Sequence, residues 1–242
     1  MKGKAFLNFN LEDLLFILSL NFKFVILEIK YKMRQNSKIL KRAKEDFRLM
    51  IYLEPFLTKN AFEKSKKLIK YVNQSINGVI IETQNIVTFG LEYISKNLLP
   101  YIYGNDLLSV ADYSTVSYIN IDPSIFKEYG FDILIIDPLY VNSHFEKFMA
   151  VRNDTFAIII NSYRGHKRQL IRQASKVRGV DGFYVEGSSK SVAYVRKILD
   201  GFIIAREGPG GDVDVITVSL NDDIHVIIKK IENRLNKQRI KR

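Results

Sequence analysis

Cysteine is absent from this chain. That removes disulfides, thiolate nucleophiles, cysteine-ligated zinc and iron–sulfur clusters from the chemistry open to it. Histidine is scarce. Only His144, His166 and His225 occur, and no two are spaced as metal ligands, so a metal site would rest mostly on carboxylates. No long Pro, Gly or Ser tract marks a linker, so residues 1–236 read as one domain and 237–242 as a basic tail. Uninterrupted apolar runs of membrane length are missing as well. The stretch Leu11–Ile29 is broken by Glu12, Asp13, Asn21, Lys23 and Glu28. The N-terminus carries no cleavable signal pattern, so a cytoplasmic location and no membrane partner are expected. P-loop, dinucleotide-fingerprint and nucleophile-elbow motifs are absent too, and no bound cofactor is expected.

What is present is an alternation of short apolar runs and helical segments. The 242 residues are 47% hydrophobic, enough for one substantial core. Around Gly130–Gly187 the pattern is clearest. Phe156–Ser162 and Gly182–Gly187 are short, apolar and bounded by turn residues, which predicts buried strands. Between them Leu170, Ile171, Ala174 and Val177 fall at helical spacing. Strand, helix and strand make a βαβ unit with parallel strands. Along the chain, strands are predicted at Lys4–Asn8, Phe24–Lys30, Leu49–Glu54, Gly78–Thr83, Asp132–Asp137, Phe202–Ala205 and Val213–Val218. Helices are predicted at Leu11–Leu20, Ser37–Asp46, Asn60–Asn73, Val87–Asn97, Ser143–Val151, Lys190–Leu199 and Asp222–Asn236. From Pro100 to Asp122 the pattern blurs, with Tyr101–Tyr103 and Tyr118–Ile121 as strand candidates. The expected fold is α/β, a decorated TIM-like (βα)8 barrel with a mostly parallel sheet; a doubly wound open sheet is the alternative.

Charge is unevenly distributed. The net charge is +11 and the pI about 9.6, which favours an anionic partner. Pro100–Ala150 holds seven acidic and two basic residues, so the cations concentrate elsewhere. Lys41 and Arg42 lie in one basic helix, Lys66 and Lys67 in the next. Arg164, Lys167, Arg168, Arg172, Lys176 and Arg178 line a helix with no acid among them, and Lys229, Lys230 and Arg234 precede the tail. A helix face of one sign gains nothing from internal pairing, so these residues are the candidate phosphate contacts for RNA read by its shape; a solvated basic surface explains them equally.

Polar residues recur where the predicted strands end: Asn8, Glu28, Glu54, Glu82, Asp137, Asn161, Glu186 and Glu207. In a barrel they would share the C-terminal rim, where such folds keep their active sites. Glu28, with Lys30 nearby, is the candidate acid–base group among them. Gly187, Ser188 and Ser189 stand directly before a helix and could present backbone N–H groups to a phosphate; Gly208-Pro-Gly-Gly211 is a second such tract.

The succession Phe22–Lys30, Leu49–Glu54, Gly78–Asn85 and Gly130–Pro138, followed by His144–Ser162 and His166–Ser189, resembles the TIM-barrel-like protein subunit of archaeal and eukaryotic RNase P. That resemblance implies an RNA-binding subunit that assists a catalytic RNA in removing the 5′ leader of precursor tRNA. Its implied partners are RNase P RNA, precursor tRNA and sister protein subunits, with Mg2+ held through RNA and no catalytic residue in the isolated chain. Tyr101–Tyr129 then looks like an insertion. A second resemblance, carried by Val25-Ile-Leu-Glu28 and Val185–Ala205, is to phosphate-binding barrels such as the tryptophan synthase alpha subunit. It implies instead a small-molecule lyase or isomerase, with Glu28 as acid–base group and Gly187–Ser189 at the phosphate.

Overall fold

The computed structural model describes residues 39, 49–53, 59–116, 122–137, 147, 150–151, 155–162, 180–185, 189–198, 201–206, 213–219, 226, 229 and 232–233. Eight parallel strands close into a barrel in chain order. They are β1 (Leu49–Leu53), β2 (Gly78–Glu82), β3 (Leu108–Asp112), β4 (Ile133–Ile136), β5 (Ala157–Ser162), β6 (Gly182–Val185), β7 (Phe202–Ala205) and β8 (Val215–Ser219). Closure is made where β1 pairs with β8, Met50 opposite Thr217. The described helices are α1 (Lys59–Val72), α2 (Thr83–Phe89), α3 (Leu91–Asn97), α4 (Leu99–Gly104), α5 (Ser124–Glu128) and α6 (Ser189–Ile198). Among the described residues no helix is long and apolar enough to cross a membrane.

Strands buried on both faces need apolar side chains at every position, which is why they read as runs such as Ile133-Leu-Ile-Ile136. Alternation then divides them into two cores. Ile80, Val110, Ile133, Ile135, Ile159, Tyr184 and Ile204 fill the barrel interior with Met50 and Phe202. Val79, Ile81, Ala111, Leu134, Ile158, Phe183 and Ile203 face outward and meet Phe62, Ile69, Ile94, Ile102, Val192 and Val195 of the helices. Each fully buried aliphatic side chain stabilises the fold by roughly 1.5–3 kcal/mol.

At the N-terminal end of the barrel one device recurs. Asp132, Asp181 and Asp214 each stand one residue before an even-numbered strand. Each carboxylate accepts the backbone N–H of the second residue of the preceding strand, at 2.8 Å in all three cases: Ser109, Ile158 and Ile203. The aspartate's own N–H donates back to that residue's carbonyl, at 2.8–3.0 Å. The clamp satisfies a strand-end donor that the ladder leaves over and sets the register of β3 with β4, β5 with β6, and β7 with β8. Arg196 closes the last clamp, 3.3 Å from Asp214 and 2.6 Å from the carbonyl of Gly201.

Several expectations are corrected here. Tyr101–Tyr103 is helical, within α4, because Leu99 and Ile102 bury the same face and Pro100 occupies a helix start where its missing N–H costs nothing. The predicted helix Val87–Asn97 is two helices, α2 and α3, broken at Gly90, whose φ of 79° interrupts helical geometry. Tyr101–Tyr129 is no insertion: it contains β3, a full member of the barrel, which the sequence reading missed. The predicted strands Lys4–Asn8 and Phe24–Lys30 lie outside the described residues, and the barrel closes on eight strands that all follow them.

Candidate active site

Inward-facing positions alternate along every strand, so the last inward residue of each strand faces the C-terminal mouth. On β2 to β5 these residues are Glu82, Asp112, Asp137 and Asn161, continuing the interior positions Ile80, Val110, Ile135 and Ile159. Asp112, Asp137 and Asn161 are buried, and Asn161 has no exposed surface at all.

Glu82 passes straight into α2 without a loop. Its carboxylate turns over the helix start and accepts the N–H of Gln84 at 2.7 Å, so it works as the helix cap. The next residue, Thr83, is buried and donates its hydroxyl to the Asp112 carbonyl, tying β2 to β3 at the rim.

Beyond β3 the chain turns sharply. Asp112 Oδ1 accepts both the backbone N–H of Ser114, at 3.1 Å, and its hydroxyl, at 2.5 Å. Ser114 Oγ then accepts a hydrogen bond from Asn161 Nδ2 at 2.8 Å. Asp112, Ser114 and Asn161 thus form a buried chain reaching from β3 to β5, past β4 and its following residue Asp137. Among the described residues Asn161 Oδ1 has no hydrogen-bond partner, nor has the buried Thr217 Oγ1 on β8. Buried carboxylates at the ends of neighbouring strands can exchange protons with a bound small molecule, and an amide and hydroxyl near them can fix its orientation. Among the described residues no group of three or more His, Asp or Glu is placed to hold a metal.

The structure places three of the predicted rim residues, Glu82, Asp137 and Asn161, together at this mouth. Asn8, Glu28, Glu54, Glu186 and Glu207 lie outside the described residues, and so do Gly187, Ser188 and Gly208–Gly211. Ser189 is the first residue of α6. Of the candidate RNA contacts, Lys41, Arg42, Arg164, Lys167, Arg168, Arg172, Lys176, Arg178, Lys230 and Arg234 are also outside. Lys67 and Lys229 are exposed. Lys66 lies half-buried on α1, 2.9 Å from Glu63 and 5.0 Å from the centre of the Phe62 ring, so its charge is already paired. Sequence reasoning missed Asp112 and Ser114 because it missed β3. The usable signal was spacing: between Glu82 and Ile133 lies far more chain than one crossover helix needs.

Neither a protein-family model nor a curated protein sequence matches the chain. Solved structures do match, at the level of fold. Leishmania donovani UMP synthase aligns with a TM-score of 0.58 at 15% identity over 81% of this chain, which spans 55% of that longer protein. Orotidine 5′-monophosphate decarboxylase from Sulfolobus solfataricus aligns with a TM-score of 0.55 at 14% identity, covering 78% of this chain and 99% of its own. KGPDC from Streptococcus mutans, solved in complex with a D-pentose 5-phosphate, gives 0.59 at 12% identity over 79% of this chain and 99% of its own. These likenesses point away from the RNase P reading, and with it from the RNA, precursor-tRNA and sister-subunit partners: the solved barrels named here are a UMP synthase, an orotidine 5′-monophosphate decarboxylase and KGPDC. The physical reason the sequence misled is that runs of basic residues show only an excess of positive charge, whereas buried polar side chains stand at the C-terminal ends of the described strands. The chain has the TIM-barrel fold, which it shares with these three structures.

Proposed function

We propose that this chain is a small-molecule enzyme of the phosphate-binding barrel type, a lyase or isomerase that performs acid–base chemistry on a phosphorylated substrate. The observation that carries the reading is the pair of buried carboxylates, Asp112 and Asp137, at the ends of adjacent strands, beside a polar chain through Ser114 and Asn161. Carboxylates and polar side chains that converge, buried, at the C-terminal mouth of such a barrel are placed where these folds carry out acid–base chemistry on a bound molecule. Asp112 is the acid–base group on this reading, Asp137 its neighbour across the substrate, and Ser114 holds Asp112 in place.

The phosphate end, on the same reading, belongs to the last strands. Such barrels bind phosphate at the loops near those strands, where glycines let backbone N–H groups approach the anion. Gly187-Ser188-Ser189 leads into α6 after β6, and Gly208-Pro-Gly-Gly211 lies between β7 and β8 in the chain. The net charge of +11 favours the approach of any anionic substrate. Support also comes from the fold neighbours, one of which was solved with a pentose phosphate and another of which decarboxylates orotidine 5′-monophosphate.

The test is calorimetric titration of the full chain with D-ribose 5-phosphate and orotidine 5′-monophosphate, with turnover of each followed by NMR. Binding of a sugar phosphate is expected, and for whichever compound turns over, Asp112→Asn should lower kcat/KM by about 100-fold or more. Undiminished turnover in that variant would remove Asp112 from the chemistry, and no binding of either compound would reject the reading.

A further inference from the structure

The amide of Asn161 has its two ends in different circumstances. Nδ2 donates to Ser114 Oγ at 2.8 Å, while Oδ1 is fully buried and has no hydrogen-bond partner among the described residues. The orientation follows from the chemistry of the chain. Ser114 Oγ donates to Asp112 Oδ1 at 2.5 Å, so that contact consumes the serine proton. Ser114 Oγ is left able only to accept, which turns the NH2 end of Asn161 towards it and the carbonyl end away. Asn161 continues the inward series Ala157 and Ile159, so that carbonyl belongs to the barrel mouth. Native interiors rarely leave a buried acceptor unmet unless a water, ion or ligand meets it.

We propose that Asn161 Oδ1 is the acceptor for a hydroxyl group of the substrate, and that the Asp112–Ser114–Asn161 chain makes this site specific for a phosphorylated sugar or polyol. The inference rests on the reading of the mouth as a site for a phosphorylated small molecule, and it adds which part of that molecule the site recognises. A hydroxyl held by Asn161 lies beside Asp112 and Asp137, so the same chain that orients the amide also sets the hydroxyl-bearing carbon against the carboxylates. The serine bond keeps the carbonyl pointed inward before any substrate arrives, so recognition requires no rearrangement of the amide.

The probes are D-ribose 5-phosphate and its 2-deoxy and 3-deoxy analogues, titrated into the full wild-type chain and into Asn161→Leu, which keeps the branched shape and removes the acceptor. Wild type should prefer ribose 5-phosphate over at least one deoxy analogue by about tenfold. The leucine variant should bind that pair equally while retaining its affinity for inorganic phosphate. Asn161→Ala serves in the same cycle should the leucine variant misfold. Equal binding of all three compounds by wild type, or a preference that survives the substitution, overturns the hydroxyl contact and leaves the wider reading intact. Failure of all three to bind wild type overturns both.

Discussion

The two ends of this barrel use the same residue type for opposite purposes. At the N-terminal end, Asp132, Asp181 and Asp214 spend their carboxylates on backbone N–H groups of the neighbouring strand, each at 2.8 Å. At the C-terminal end, Asp112 is held by Ser114, Asp137 is buried just after β4, and Asn161 Oδ1 has no partner among the described residues. One end is closed by its polar groups and the other is lined by them. The difference lies in where the aspartate stands relative to its strand. Before a strand, it meets a donor that the ladder has not yet taken up; at the end of one, it faces inward with the ladder behind it. An aspartate in a barrel sequence is therefore interpretable only once strand boundaries are known.

The sharpest way to break the closed end is through Gly182, which follows Asp181 at the start of β6. A Cβ there would lie 2.1 Å from the Phe202 carbonyl oxygen and 3.0 Å from the Phe202 side chain, with backbone in the way. Gly182→Ala should cost about 3 kcal/mol or more, or prevent folding, as read from urea unfolding or from soluble yield. A midpoint within error of wild type would mean that β6 and β7 are not packed this closely.

Next in size is a matched pair of substitutions across the two ends. Asp181→Ala leaves the buried N–H of Ile158 without its acceptor and should destabilise by about 2–3 kcal/mol. Asp112→Asn keeps an oxygen to accept the Ser114 N–H and hydroxyl, so its stability should change by less than about 1 kcal/mol. Equal losses from both would erase the structural distinction between the two ends.

The smallest effects belong to exposed carboxylates that serve neither end. The backbone N–H of Ser124, then its hydroxyl, holds Asp122 below the ordinary aspartate range. The hydrogen bond from Lys96, then its charge, does the same for Glu92. A depressed carboxylate pKa gives stability that is present above the unfolded value and lost as the pH falls through the folded one. Asp122→Asn and Glu92→Gln should therefore shift the thermal midpoint slightly at pH 7 and not at all below the folded pKa values. Salt should shrink the Glu92 effect further, because both partners are exposed. A large effect at neutral pH would show that these surface groups matter more than either barrel end.

Much of the barrel was legible because buried parallel strands demand continuous apolar runs: Gly78–Glu82, Ile133–Ile136 and Phe202–Ala205 announce themselves. The exception was β3. Leu108-Ser-Val-Ala-Asp112 is short, with two small residues, and Leu99–Gly104 before it carries two tyrosines that imitate strand composition. With β3 went Asp112 and Ser114, and so the centre of the candidate site. Glu82, Asp137 and Asn161 were legible as strand-end polar residues, though their mutual placement was not. The clamp was hidden for a different reason. Its signature, an apolar residue followed by Asp at Phe131-Asp132, Val180-Asp181 and Val213-Asp214, is two residues long and gains meaning only when the strands that follow are seen to be β4, β6 and β8.

By itself, then, the sequence determined the class of the fold: hydrophobic periodicity is local, and alternating strand and helix patterns leave few topologies that can bury both sheet faces. It also determined the excess of positive charge. Tertiary structure alone decided which polar residues meet. Asn161 and Ser114 are 47 positions apart and become neighbours only because parallel strands bring their C-terminal ends to one rim. That convergence is a property of closure, where β1 meets β8, and no local pattern in the chain encodes it.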